Sequence, residues 1–299
     1  MKNSYLMWTV AVAVVVVLVI AGVRSQGQEE TQGRDAIEEA IANVIAANSY
    51  HAMAELVLDL PSQRNPAQLI DVVMRAEGDI QETENDTLFG GNLFIEAKGR
   101  GLVLFTEGEL RIMPASVAFK LNSLPALLNP EGTLTDKWTY VDTDTLRSTN
   151  TLEINQLLID VGSSLQRRGP ERIPGTEQQG IHYQGQLTQE QEDVLVAALR
   201  QPTSNSKAWN VVARLLRAFD ARVVDVWIDE EENPQLRRVA VTFENPEVQN
   251  DDPEATLILA FSDFGKEVNI EAPEREITVS PEVFARLFGE GDVRVLEGE

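Results

Sequence analysis

No cysteine occurs in the chain. Disulfides, thiolate metal sites, a cysteine nucleophile and a lipid-modified cysteine near the N-terminus are therefore excluded. Histidine is scarce, with 2 in 299 residues, so imidazole chemistry rests on His51 or His182. The G-x-S-x-G, Walker A and G-x-G-x-x-G patterns are missing, and with them the nucleophile elbow and the common phosphate cradles. Cations are few: 25 Lys and Arg stand against 48 Asp and Glu, a formal net charge of -23. A field of that sign argues against nucleic acid as a partner and against docking on anionic lipid through basic patches. Its ordinary use is solubility.

The N-terminus carries the clearest positive signal. The run 6-LMWTVAVAVVVVLVIAGV-23 has no charged residue. At about 1.5 Å per residue it makes about 27 Å of helix, close to the hydrocarbon thickness of a bilayer. A secretory hydrophobic region is shorter and ends on a small-x-small cleavage site. Here the run closes on Ala21-Gly22-Val23-Arg24, a poor site, which favours a retained anchor over a removed signal peptide. Lys2 precedes the run and Arg24 follows it, so the positive-inside rule hardly discriminates. The short head is expected inside and the bulk of the chain outside the cell membrane. This gives three parts: an anchor over 1–23, a flexible Gln/Glu/Gly-rich linker over 24–35, and one extracytoplasmic domain over 36–299.

Within that domain apolar residues alternate over many short segments. Asp35 is expected to cap a helix from Ala36 to about Asn48, with Ile37, Ile41, Val44 and Ile45 on one face. Strands are expected at 51–60, 69–81, 92–100, 101–113, 115–121, 137–142, 181–187, 222–229 and 236–244. The segment 253-PEATLILAFSDFGKEVNIEAPE-274 reads as a hairpin. Leu257, Leu259 and Phe261 share a face, Asp263-Phe264-Gly265 turns the chain, and Val268, Ile270 and Ala272 alternate on the way back. Helices are expected at 151–166, at 188–200 behind a Thr188–Gln191 capping box, and at 207–219. The pattern predicts an α+β fold: a large curved antiparallel sheet with helices on one face.

Chemistry has little to stand on. Both histidines fall on expected strands. A catalytic base also needs a positioned nucleophile and an orienting group. Ser163-Ser164 and Ser262-Asp263 have no histidine beside them in sequence, which leaves only a spatial arrangement open. Neither histidine is expected to be catalytic, and the chain is not expected to be an enzyme or to carry a cofactor. The acidic stretch 142-DTDT-145 departs from a calcium loop at Leu146 and Arg147. The stretches 229-DEEENP-234 and 250-NDDPE-254 read as solvated turns, so no metal site is expected.

The order of elements is similar to that of the LolA-like lipoprotein-carrier superfamily, in particular its LppX/LprG-type branch. The likeness runs over about residues 36–274. It is carried by 49-SYHAMAELVLDL-60, 137-KWTYVD-142, 181-IHYQGQL-187, 224-VDVWIDEE-231 and 259-LAFSDFGKEVNIEAP-273. The resemblance implies a half-open antiparallel β-barrel with helices packed into its concave face. It also implies an apolar cavity for acyl chains of lipids or lipoproteins at the outer side of a membrane. The chain departs from the family in having a hydrophobic N-terminal run where members carry a lipidated cysteine or are released. Expected to line the cavity are Leu56, Leu58, Val72, Met74, Ile95, Leu104, Val226, Ile228, Val241, Phe243, Leu257 and Leu259. Two functions stay open: binding or transfer of acyl chains by a membrane-tethered domain, and a ligand-free interaction or sensor domain on the same scaffold. Alternating stripes serve a filled core as well as a cavity.

Overall fold

The computed structural model describes residues 32–62, 65–83, 87–99, 102–114, 116–123, 135–142, 162, 164–188, 191, 220–244, 255–274 and 276–279. A helix, α1 (Gln32–Ala46), leads into the sheet. Its residues Ile37, Ala40, Ile41 and Val44 are buried at helical spacing. Asp35 lies in its first turn, where negative charge meets the positive end of the helix dipole. The helix thus starts upstream of the expected cap and takes up the end of the 24–35 linker. Asn48 follows at φ 59°, a left-handed conformation that asparagine tolerates better than most residues.

Among the described residues twelve strands form one sheet. Strands β1 (Ser49–Ser62), β2 (Asn65–Glu82), β3 (Thr87–Gly99), β4 (Leu102–Met113), β5 (Ser116–Ser123) and β6 (Thr139–Asp142) make one antiparallel meander. Strands β7 (Gln166–Arg172), β8 (Gln179–Gly185), β9 (Asp220–Asp229), β10 (Leu236–Glu244) and β11 (Ala255–Ser262) make a second. Pairing of β1 with β11 fuses the two. Strand β12 (Ile277–Val279) adds to β6, in parallel. Among the described residues the edges of the sheet are β12 and β7, and it does not close on itself.

Side chains alternate between two faces. On the inner face Tyr50, Ala52, Ala54, Leu56 and Leu58 of β1 join α1 in one buried cluster that extends from Val117 and Phe119 to Ile181 and Tyr183. Each large aliphatic side chain fully buried there contributes about 1.5–3 kcal/mol. Gly78 lies opposite Gly91 on the same face. A Cβ on Gly78 would collide with the Gly90 carbonyl and the Gly91 Cα, so the close approach of β2 and β3 requires glycine there.

The described residues are mostly β rather than α+β. Of the three later helices expected, nearly all of each range lies outside the described residues. The 151–166 reading fails at its end, where Gln166 already begins β7. The capping box does form: Thr188 N donates to Gln191 Oε1 at 2.9 Å, and Gln191 N donates to Thr188 Oγ1 at 3.3 Å. Among the described residues no helix is long and apolar enough to cross a membrane, and the 6–23 run lies outside them.

The hairpin at 253–274 is half right. Strand β11 forms, but residues 266–274 make no strand. Both sides of β11 are already taken by β1 and β10, so the returning chain has no edge to pair with. It crosses the outer face instead. Gly265 N donates to Ser49 O at 2.8 Å, and Ser49 Oγ donates to Lys266 O at 2.6 Å. Ile270 then packs over Gly90, the Tyr140 hydroxyl donates to Pro273 O, and Glu276 accepts Trp138 N at 2.7 Å. The strap ends in β12.

Candidate functional site

The register of the sheet lays the inner face out in rows. One row reads Val224, Val241, Leu257, Leu56, Met74 and Ile95, from β9 to β3. The next reads Phe243, Ala255, Leu58, Val72, Ala97 and Leu104, from β10 to β4. On the other side of the first lies Tyr183, Val226, Val239, Leu259, Ala54, Ala76 and Leu93, from β8 to β3. Ile228 stands one row further on, between Ile181 and Leu236. The twelve residues expected to line a cavity all stand on this one face of the sheet. All except Leu104 belong to the buried cluster or pack against it. Met74 is fully buried, whereas Val72, Ile95, Leu104 and Leu257 are only half-buried. The half-buried positions thus lie in the first two rows, on β2, β3, β4 and β11.

The alternation that revealed these positions did not reveal Arg167 or Tyr183. The third row ends on Tyr183 and, beyond it, on Arg167 of the edge strand β7. Tyr183 could have been read from the 181–187 pattern. Gly169 and Pro170 break the alternation in β7, and the strand bulges between Arg167 and Gly169. Burial raises the Tyr183 hydroxyl pKa above its usual value, and the charge of Arg167 pulls it part of the way back. At the opposite corner, burial followed by the Glu82 carboxylate raises Tyr50 well above the ordinary range.

Both histidines stand on the outer face. The His51 Nδ1 lies 2.8 Å from Asp79 and its Nε2 3.3 Å from Glu77. Ser262 is opposite His51 in register, but both ring nitrogens are directed at carboxylates, and no hydrogen bond joins Ser262 to the ring among the described residues. His182 lies on β8, one strand in from the edge. Its Nε2 is 2.8 Å from Asp225 and its Nδ1 3.2 Å from Glu171. It stacks on Trp227 with 4.7 Å between centroids and 6° between planes, and the Trp227 indole donates to Glu171 at 2.6 Å. Among the described residues no group of three or more His, Asp or Glu is placed to hold a metal ion.

The turn after β9 is not wholly solvated as expected. Asp229 is buried; it accepts Gln235 N at 2.8 Å and Arg237 Nε at 2.7 Å. The Arg237 guanidinium covers the Phe264 ring at 4.7 Å. The 142-DTDT-145 loop past Asp142 and the 250–254 turn before Ala255 lie outside the described residues.

No family model matches the chain, and no curated protein matches it. Among solved structures it is similar to the crystal structure of the Mycobacterium tuberculosis lipoprotein LppX. Identity is 15% and the TM-score 0.44, over 81% of this chain and 100% of that one. A lesser overlap is with the dehydratase domain from the terminal module of the rifamycin polyketide synthase. There identity is 13% and the TM-score 0.16, over 78% of this chain and 82% of that one.

Proposed function

We propose that this chain is a membrane-tethered extracytoplasmic domain that holds or passes on acyl chains of lipids or lipoproteins. The observation that carries the reading is the inner face. Its paired rows are apolar from β8 to β4, and Val72, Ile95, Leu104 and Leu257 on them are only half-buried. Ligand pockets are lined mainly by apolar side chains with few polar groups. Each buried methylene of a ligand gains about 0.8 kcal/mol, so a chain of ordinary length binds measurably. Met74 sits in the middle of the first row, where its flexible thioether suits a wall that accepts more than one chain shape. The apolar run over 6–23 supplies the tether, which keeps the domain at the source of its ligand.

The alternative is a ligand-free interaction domain on the same sheet. It is favoured by one feature of the outer face, the exposed pair Val103 and Phe105, with Phe94 edge-on to Phe105 at 5.2 Å. Native mass spectrometry of the full chain extracted from its own membranes separates the two. The expected spectrum shows the intact mass, including the 6–23 run, with adducts in the mass range of lipids. A chain that keeps its N-terminus but carries no lipid favours the interaction domain. A mature mass beginning after about Ala21 removes the tether and leaves a released carrier.

A further inference from the structure

Acyl chains do not arrive alone; they carry headgroups, and the row over Tyr183, Val226 and Val239 ends in a charge. Arg167 is paired with Tyr183 across β7 and β8. Directly opposed residues project from the same face, so Arg167 extends the inner face at its open edge. It is the only charged residue in the rows described above. It is exposed, and among the described residues its guanidinium has neither a carboxylate partner nor a hydrogen bond. Its neighbours differ: Arg168 donates to Gln184 at 2.9 Å on the other face, and Arg172 pairs with Glu177. In a chain with 48 acids and 25 Lys and Arg, an arginine left without an acid at the end of an apolar row is the exception.

We propose that Arg167 and the Tyr183 hydroxyl receive the phosphate of an anionic phospholipid whose acyl chain lies along the apolar rows. This rests on the acyl-chain reading and adds the headgroup to it. A planar guanidinium offers parallel N–H donors that match phosphate oxygens two at a time. Tyr183 is held protonated by burial, against the pull of Arg167, and so keeps its O–H to donate. The overall charge of -23 does not oppose the contact. Exposed charges are screened within about 8–10 Å at physiological salt, so the headgroup responds chiefly to its nearest neighbour. Position fits as well, because β7 is the sheet edge and a headgroup there stays in water while its chain lies inside.

The test uses the full chain in phosphatidylcholine nanodiscs. Trace phosphatidylglycerol and phosphatidylcholine probes carry the same diazirine-bearing acyl chain, and labelled peptides are read by mass spectrometry. The glycerol lipid is expected to label peptides of β8 to β10 about tenfold more than the choline lipid, the scale of one charge-assisted contact. Arg167→Gln is expected to bring the two to nearly the same level, chiefly by lowering phosphatidylglycerol labelling; choline-lipid labelling falls less, because the choline cation already offsets the phosphate charge that meets Arg167. Arg167→Lys should keep part of the difference, and Arg172→Gln should keep all of it. Tyr183→Phe, expected to lose part of it, serves as the second probe should Arg167→Gln not fold. Equal labelling by both lipids in the unaltered chain, or a difference that survives Arg167→Gln, overturns the headgroup assignment and leaves the acyl-chain reading standing. Absence of label on these strands from either lipid removes the acyl-chain reading and the headgroup with it.

Discussion

The two histidines sit in matching surroundings, each ring between two carboxylates on the outer face. At His51 burial alone would favour the neutral ring. The hydrogen bonds that Asp79 and Glu77 accept from the ring, with their charges, outweigh it and raise the pKa above the usual value. The unfolded ring titrates near about 6.5. A folded pKa above that means the imidazolium contributes stability in full below about pH 6.5. The contribution is lost as pH rises through the folded pKa. His51→Gln is therefore expected to lower the thermal midpoint most at about pH 5.5 and least at about pH 8.5. A gap that widens with rising pH would show that the neutral ring is the stabilising form. None of this was legible beforehand, because strand alternation assigns His51 a face but not its neighbours. The buried Asp229–Arg237 pair was hidden for the same reason. Its acid looks like the start of the solvated run Glu230-Glu231-Glu232, and the register that brings Arg237 against it is a long-range fact.

Elements whose apolar residues alternate without interruption were read well. The segments 222–229 and 236–244 appear as Asp220–Asp229 and Leu236–Glu244. Two readings failed, for different physical reasons. Strand β7 carries Gly169 at φ 123° next to Pro170, so its composition denies a strand, yet an edge position tolerates both residues. Residues 266–274 have the right alternation for a strand but find no free backbone to pair with, since strand order decides which edges remain. What they form is a strap, and its hold is local: Ile270 over Gly90 and the Tyr140 hydroxyl on Pro273. Ile270→Asp is expected to speed amide hydrogen exchange of 266–276 and of β12, leaving β1 and β2 protected. Tyr140→Phe should do the same more weakly, at about the 1 kcal/mol scale of one hydrogen bond. Loss of protection across β1 and β2 as well would show that the strap holds the sheet together rather than lying on it.

At the scale of the whole molecule, the question is whether the inner face is filled by the chain itself or by a ligand. The sequence placed all twelve expected residues on that face, because period-two alternation fixes the side of a strand whatever covers it. It left the headgroup end unread, because Arg167 belongs to the face only through pairing with Tyr183. Val241 and Leu257 are direct neighbours in the central row. Val241 is 8% exposed and Leu257 half-buried, so a tryptophan at either position projects where a ligand chain would lie. With a cavity there, Val241→Trp and Leu257→Trp are expected to fold with little change in thermal midpoint and to lose most of the lipid seen in the native spectrum. In a filled core the added volume forces neighbours off their rotamers at a cost of about 1–3 kcal/mol. Unaltered and substituted chains would then carry the same lipid, or none. The two measurements separate the cases: stability kept and lipid lost speaks for a cavity, while stability lost and lipid unchanged speaks for a core. Leu257→Trp is the stricter of the pair, since its position is the more exposed of the two and its effect is the less easily mistaken for an overpacked core.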